Sequence, residues 1–297
     1  MVAVDINRGT TGVNLPPAVA NEIWGATLEA SAVMQAARRI ALPGSGVSIP
    51  LVTGDATAAW VAETEEKPVS KATLSNKTMT PYTLAVIEPF SNQFRRDLPA
   101  LYGELVRRLP FSLGKIFDQT VFGTTTAPGS NFDQLTTAPT LTVDGTGTFA
   151  DLAAVLNAIA AQGAELTHWL ASPALHGLAL TAVDSLGRQF FISDPANSST
   201  VGSIFGAPVI RTRATMPSGA GATADKIGYA GDWAGSAVWG FVEGVQISIS
   251  DQSTLNDGGT QINLWQRNMF AVRAEIEVGF RVRDVNHFVS LNDGTAD

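Results

Sequence analysis

Near the end of the chain, Phe270, Val272, Ala274, Ile276, Val278, Phe280 and Val282 alternate with Arg273, Glu275, Glu277, Arg281 and Arg283. A period of two with one apolar and one charged face predicts a long β-strand lying on a core. Helical spacing occurs in two other places. Val19, Ile23, Trp24 and Leu28 predict a helix that fades into Arg38 and Arg39, before a break at Pro43, Gly44 and Gly46. Leu98, Leu101, Tyr102, Leu105, Val106 and Leu109, continuing through Leu113, Ile116 and Phe117, predict a longer helix with Asp97 as its N-cap. At 1.5 Å per residue it spans roughly 35 Å. Pro110 removes a backbone donor from its interior and should kink it.

Between these helices, residues 47–63 and 72–90 read as two extended runs joined by Thr64, Glu65, Glu66, Lys67, Pro68, Val69 and Ser70, a long hairpin. Its distal half carries Lys71, Thr73, Ser75, Asn76, Lys77 and Thr78, too polar for both faces to join a core. A lone two-stranded ribbon is marginal in water, so this one should lie on another body, such as a neighbouring copy of the chain. Residues 123–148, rich in Thr, Gly, Pro and Asp, mark a loop or lobe boundary. A second lobe follows, with helices at 151–162 and 173–183 and strands at 167–171, 207–211, 226–230, 237–239 and 245–250; residues 216–225 form a loop. The long final strand should return the chain to the first lobe. The fold class is α+β.

Composition narrows what such a body does. The chain has 297 residues, 45% apolar but only 15% charged, and a surface so poor in charge suggests that partners cover much of it. The net charge of −8 comes without any run of like charges, which argues against a basic nucleic-acid groove. Cysteine is absent, excluding disulfides and thiolate metal sites. His168, His176 and His287 are scattered and predict no metal site, and no cofactor motif is present. Ser172 and Ser185 lack the Gly-x-Ser-x-Gly elbow of a hydrolase, and the Gly-rich patches lack the Lys-Ser/Thr of a phosphate loop. No apolar run reaches the length needed to span a membrane.

In order, arm, helix, long hairpin, spine helix, inserted α/β lobe and closing strand resemble the tailed-phage major capsid family of the Hong Kong 97 type. The most specific pieces are Trp60-Val61-Ala62-Glu63-Thr64-Glu65-Glu66-Lys67-Pro68 at the hairpin tip, Ser91-Asn92-Gln93-Phe94-Arg95-Arg96-Asp97 before the spine, and Arg267-Asn268-Met269-Phe270-Ala271-Val272-Arg273-Ala274-Glu275. The resemblance implies an N-terminal arm at 1–15, a peripheral domain at 16–46, 91–148 and 260–297, an extended E-loop hairpin at 47–90, and an inserted axial α/β domain at 149–259. It implies pentamers and hexamers that close an icosahedral virion capsid around double-stranded DNA without reading its sequence. Separate scaffolding and portal proteins, and assembly in the host cytoplasm, belong to the same expectation. An encapsulin nanocompartment shares the fold and is the nearest alternative; an α+β enzyme with a pocket between lobes is the rival of a different class.

The resemblance also implies chemistry. Some family members join subunits by an isopeptide bond, and Lys67, Asn268 and Glu275 match its lysine, asparagine and assisting glutamate. A lysine at an exposed tip is equally what a solvated charge looks like. Asn268 and Glu275, seven residues apart, face opposite sides of a regular strand unless a bend intervenes. Arg95, Arg96, Arg107 and Arg108 cluster near the spine, either as a solvated face or as partners for Glu63, Glu65 and Glu66 of a neighbour's hairpin, where they would set register more than affinity.

Overall fold

The computed structural model describes residues 31–54, 57–67, 69–71, 73–92, 98–145, 147–182, 202–215 and 226–294. The expected arm, the helix read around residues 19–28, the Asp97 cap and the 216–225 loop lie outside these residues. The chain enters through a short helix, α1 (Ala32–Ala36), and an edge strand, β1 (Arg38–Ala41). A ribbon of β2 (Val47–Gly54) and β3 (Thr73–Met79) follows, then β4 (Tyr82–Ser91) and the spine helix α2 (Leu98–Val121). After β5 (Thr140–Thr142) come α3 (Thr148–Ala161), β6 (His168–Ala171) and α4 (Pro173–Thr181). Strands β7 (Ser203–Ile204), β8 (Ala207–Arg211) and β9 (Lys226–Gly231) lead through the one-turn helix α5 (Trp233–Ser236) to β10 (Ala237–Phe241) and β11 (Gln246–Ser250). A small hairpin, β12 (Thr254–Asp257) and β13 (Thr260–Asn263), precedes the long strand β14 (Met269–Val282) and the last strand β15 (Phe288–Asn292).

Two sheets carry the body. The first is organised by β14, which pairs antiparallel with β4 from Met269↔Ser91 to Val278↔Tyr82. Its other partners, β11 and β10, take successive stretches, Ala271–Glu275 and Val278–Val282, while β1 adds in parallel to β10. The second sheet runs β5-β15-β9-β6-β8-β7 and is covered by α3 and α4, whose Leu152, Val155, Ile159, Leu175 and Ala179 join its core. The strands read at 237–239 and 245–250, expected in the inserted lobe, therefore belong with β14. The reason is that Val238, Trp239 and Val245 present apolar surface to the first sheet's layers, which local pattern alone does not assign to a lobe. Conversely, β15 leaves the β14 sheet to pair with β9 and β5.

The core is continuous across both sheets. In α2, Leu109, Leu113, Phe117 and Val121 recur four residues apart and are buried, so one stripe of the helix lies on the β14 sheet, and the helix continues through Pro110. Phe117 meets Phe280 edge-on at 6.2 Å and Phe132 at 6.0 Å. Phe122, just past the helix end, stacks on Tyr229 of the second sheet at 4.9 Å. The Tyr229 hydroxyl donates to the Phe122 carbonyl at 3.1 Å. Besides the spine helix, which leads from β4 to β5, two short crossings join the sheets, β9 to β10 through α5 and β14 to β15 through a 3₁₀ turn at Val285–His287. They hold each other: Ser236 Oγ lies 2.6 Å from His287 Nδ1, and the Arg283 amide donates to the Ser236 carbonyl at 2.7 Å.

One buried carboxylate fixes the entry of the chain onto the spine. Asp118 on α2 accepts from Ser31 Oγ at 2.5 Å, the Ala32 amide at 2.8 Å and the Val33 amide at 3.3 Å, closing the N-terminus of α1 from outside. Burial pushes its carboxyl up to about 7 even though these three donors pull it down. A folded pKa above the unfolded one means that the folded chain retains a proton the unfolded chain has lost. The stabilising contribution is complete below about pH 4 and disappears as pH rises through about 7. Asp118→Asn keeps an acceptor oxygen without the titration, and should flatten the stability curve of unassembled subunits over that interval in urea unfolding; an unchanged slope would assign the titration to another group. In the same assay Phe280→Ala, which empties the meeting point of Phe117 and Phe132, should cost about 3–5 kcal/mol.

Candidate assembly interface

The ribbon is fastened at its base and free at its tip. Strands β2 and β3 pair antiparallel from Val47↔Met79 to Gly54↔Thr73. Met79 is fully buried with Leu42 and Val238, and Val47 and Ile49 pack on this small cluster. Met79 and Thr80 cross β14 at Gly279, where an added Cβ would lie 2.7 Å from Met79 Cγ and 3.0 Å from the Thr80 carbonyl; only glycine allows that approach. The expected second run of the hairpin, 72–90, is thus two strands. Pro81 has no N–H to continue a ladder, and beyond it the chain turns into β4 on β14.

A charged clamp reinforces the base. Arg281 was expected on the solvated face of the last strand, but it is 8% exposed. Its guanidinium donates to the Thr78 carbonyl at 2.8 Å, Asp133 Oδ1 at 2.6 Å and Asn131 Oδ1 at 2.8 Å. The second Asp133 oxygen accepts from the Val282 amide at 3.0 Å and lies 3.6 Å from Lys77 Nζ, which itself donates to the Val282 carbonyl. One carboxylate therefore ties ribbon, loop and central strand together. Arg38, Lys77, Arg281 and Arg283 also line an open cleft of about 260 Å³ beside the ribbon.

The tip carries no core of its own. Trp60 is 105% exposed, and Glu63, Glu65, Glu66 and Lys67 are exposed as well. Its arms are joined by Thr57 and Ser70, whose amide and hydroxyl bond at 2.8 Å, and by a turn in which the Glu65 amide donates to the Ala62 carbonyl at 3.3 Å. Thr64 takes the left-handed conformation in that turn, with φ of 79°.

At the other end of the body, Asn268 sits in a turn at the mouth of β14, with φ of 52° and its amide donating to the Trp265 carbonyl at 3.3 Å. Its side-chain oxygen accepts from Asn92 Nδ2 at 2.8 Å. Because Asn268 lies in this turn rather than in the strand, strand parity does not relate it to Glu275. Glu275 is half-buried within β14 and pairs with Arg273 Nε at 3.2 Å. From Met269, next to Asn268, six strand steps of about 3.4 Å lead to Glu275, roughly 20 Å, so one copy does not bring the two together. Arg95 and Arg96 lie outside the described residues, and Arg107 and Arg108 fall on α2. The clamp pair Arg281 and Asp133 gave no local signal: the two are 148 residues apart, and only the fold makes them neighbours.

Ribbon, spine helix, central strand and inserted sheet together match one family of proteins. The model of the Phage capsid family covers residues 11–293. The chain belongs to that family. It is 32% identical to the probable major capsid protein gp17 of Mycobacterium phage L5, over 94% of this chain and 89% of that protein. To the protein of the same description from Mycobacterium phage D29 it is 29% identical over 94% of this chain and 90% of that protein. Among solved structures, a chain of Gordonia phage Cozz superposes with a TM-score of 0.70 at 22% identity, covering 88% of this chain and 86% of the other. A chain from the capsid of an empty GTA particle superposes with a TM-score of 0.63 at 16% identity, over 99% of this chain and 96% of that one. As a phage capsid family member, the chain is a structural protein of the shell rather than an enzyme.

The clamp makes a direct prediction for this capsid protein. Arg281→Met removes the guanidinium's bonds to Thr78, Asn131 and Asp133, leaves that carboxylate only the Val282 amide and Lys77, and should lower subunit stability by about 3 kcal/mol. Limited proteolysis should cut residues 57–71 faster in the variant than in wild type, and equal cutting would show that the apolar cluster alone holds the ribbon.

Proposed function

We propose that the chain is the major capsid protein of a tailed phage, and that its copies close into an icosahedral shell of pentamers and hexamers around double-stranded DNA. The observation that supports this most is the ribbon, anchored firmly at the base and presenting a fully exposed tryptophan at the tip. A free subunit gains nothing from holding such a side chain in water, whereas a neighbour that covers it gains its whole apolar area. One modest contact repeated around a closed lattice gives a shell far stronger than any pair, because each link makes the next nearly intramolecular. The net charge of −8 suits a container that repels phosphate and lets packed duplex move. Scaffolding and portal proteins act as separate partners, and assembly takes place in the host cytoplasm. Glu63, Glu65 and Glu66 of one copy face Arg95, Arg96, Arg107 and Arg108 of a neighbour and set the register of docking.

The shell is then sealed covalently. The Lys67 amine of one copy attacks the Asn268 carboxamide carbon of another, the new amide C–N bond forms as the old one breaks, and the carboxamide nitrogen leaves as ammonia. Glu275 takes the proton from the attacking amine and delivers one to the leaving group. Since roughly 20 Å of strand separates Asn268 from Glu275 in one copy, the glutamate at each bond comes from a copy other than the one supplying the asparagine.

Electron microscopy of the purified protein should show closed icosahedral particles; a small oligomer under all assembly conditions would overturn the shell of pentamers and hexamers. Boiling mature shells in detergent should give a ladder above the monomer, which Lys67→Arg abolishes while leaving the shells intact. Monomer alone would remove the covalent step and leave the shell.

A further inference from the structure

The ribbon base divides one face of the central strand into two fields of opposite charge. Glu275, Glu277, Gly279 and Arg281 alternate onto that face of β14, and Met79 and Thr80 cross it at Gly279. On one side of the crossing lies the cleft lined by Arg38, Lys77, Arg281 and Arg283, into which no acidic side chain opens among the described residues. On the other side, a cleft of about 180 Å³ is lined by Glu243, Glu275 and Glu277, with no lysine or arginine among the described residues that line it. Glu277 and Arg281 stand four strand steps apart, roughly 14 Å, with the ribbon between them. That exceeds the screening length at physiological salt, so the two fields do not neutralise each other within one copy.

Each field is held in shape by its own subunit. Arg281 and Lys77 are committed to Asp133 and to backbone carbonyls, while Arg38 and Arg283 line the basic cleft from exposed positions. On the acidic side, Glu243 sits in the turn between β10 and β11, beside Gly244, where an added Cβ would meet nothing within 4 Å. The turn therefore projects into open solvent. Its base is fixed: the Val242 amide donates to the Glu277 carbonyl at 3.1 Å, Val242 packs on the Leu42, Met79 and Val238 cluster, and Glu243 accepts from Gln246 Nε2 at 2.7 Å. Glu275 has Arg273 as its partner, whereas Glu243 and Glu277 are exposed carboxylates on adjoining elements. Like charges held together cost free energy in a lone subunit, and a cleft walled by one sign of charge focuses its potential outward. A projecting turn with a carboxylate at its point matches a concave cleft lined with cations in shape as well as in sign.

We propose that the basic cleft beside the ribbon receives the Glu243 turn of a second copy, with Glu243 and Glu277 of that copy paired with Arg38 and Arg283. The giving and receiving surfaces differ, so each copy offers one and fills one, and a head-to-tail contact of this kind makes a ring when its rotation closes. This rests on the shell reading above and places a contact inside its pentamers and hexamers, apart from the exposed tip. Complementary charge steers encounter and fixes orientation more than it adds affinity, so the contact acts on the rate and correctness of ring formation.

Charge reversal in the full chain tests the pairing. Glu243→Lys with Glu277→Lys should remain folded by urea unfolding and form no shells under the electron microscope, and Arg38→Glu with Arg283→Glu should do the same. Combining all four reversals should restore shells. Neutralising one side, as Glu243→Gln with Glu277→Gln, should slow assembly about tenfold at low salt. Shells formed at the wild-type rate by either reversed variant overturn the proposal. Should the fourfold variant stay unassembled, a cross-link decides. The natural chain has no cysteine, so Glu243→Cys and Arg283→Cys in a Lys67→Arg background supply the only thiols, to be bridged with bismaleimidoethane. Assembled protein should give a ladder that stops at pentamer and hexamer. Shells that yield monomer alone, or a ladder that runs on past the hexamer, overturn the proposal and leave the shell reading standing. Linked rings from a protein whose wild type never forms closed particles would uphold the contact and remove the shell reading instead.

Discussion

Asp133 and Arg281 form the contact on which the rest of the structure turns. A guanidinium and a carboxylate that are both largely withdrawn from water are costly to bury, and they are tolerated where every remaining donor and acceptor finds a partner. Here the guanidinium reaches the Thr78 carbonyl of the ribbon and the carboxylate takes the Val282 amide of the central strand, so the pair is also a joint between the two elements, beside the Lys77 bond to the Val282 carbonyl and the packing of Met79 on Gly279. Without a rigid joint, a two-stranded ribbon would sweep a wide arc and its tip would arrive at a neighbour in many orientations. With it, the conformational entropy of the base is already spent when the subunit folds, and docking needs to order only the tip.

That division explains where polar and apolar residues lie along the ribbon. Near the base, Val47, Ile49 and Met79 face their own body, while farther out Leu74, Val69 and Trp60 are exposed. The apolar surface of a single subunit is thus incomplete by design of its topology. The interior is fully served by the aromatic cluster of Phe117, Phe132 and Phe280, and the tip is left for a second molecule to cover. A low proportion of charge, 15% of the chain, belongs to the same economy: a surface that will be covered carries few groups whose desolvation would oppose association.

The long central strand and the spine helix were legible because each carries its own periodicity over many residues, Phe270 to Val282 at two and Leu109 to Phe117 at four. What was not legible depended on distance or on chain direction. The ribbon appeared longer than it is, because Thr73–Met79 and Tyr82–Ser91 look alike as extended runs and only Pro81 marks that one leaves the ribbon for the sheet. Strands β10 and β11 were placed with the inserted lobe because they follow it in sequence, although their partners are on β14. Asp118 shows the same limit: nothing near it predicts that an aspartate in the last turn of an apolar helix will cap a helix 86 residues earlier. Lys67, Asn268 and Glu275 were suggested by the resemblance to a family, and the structure places Asn268 in the turn before the central strand and Glu275 within it.

The separation of Asn268 from Glu275 has a consequence for how a shell could time its own sealing. Each group sits in a stable environment within its subunit, Asn268 bonded to Asn92 and Glu275 paired with Arg273, so neither is poised for reaction in a free molecule. A reaction that needs parts from separate copies has an effective concentration near zero until the lattice positions them, and a high one afterwards. For the proposed link, arrangement of the pieces along a rigid strand would act as the safeguard: covalent closure could not run ahead of correct assembly, because the geometry that permits it would exist only where neighbouring copies already meet.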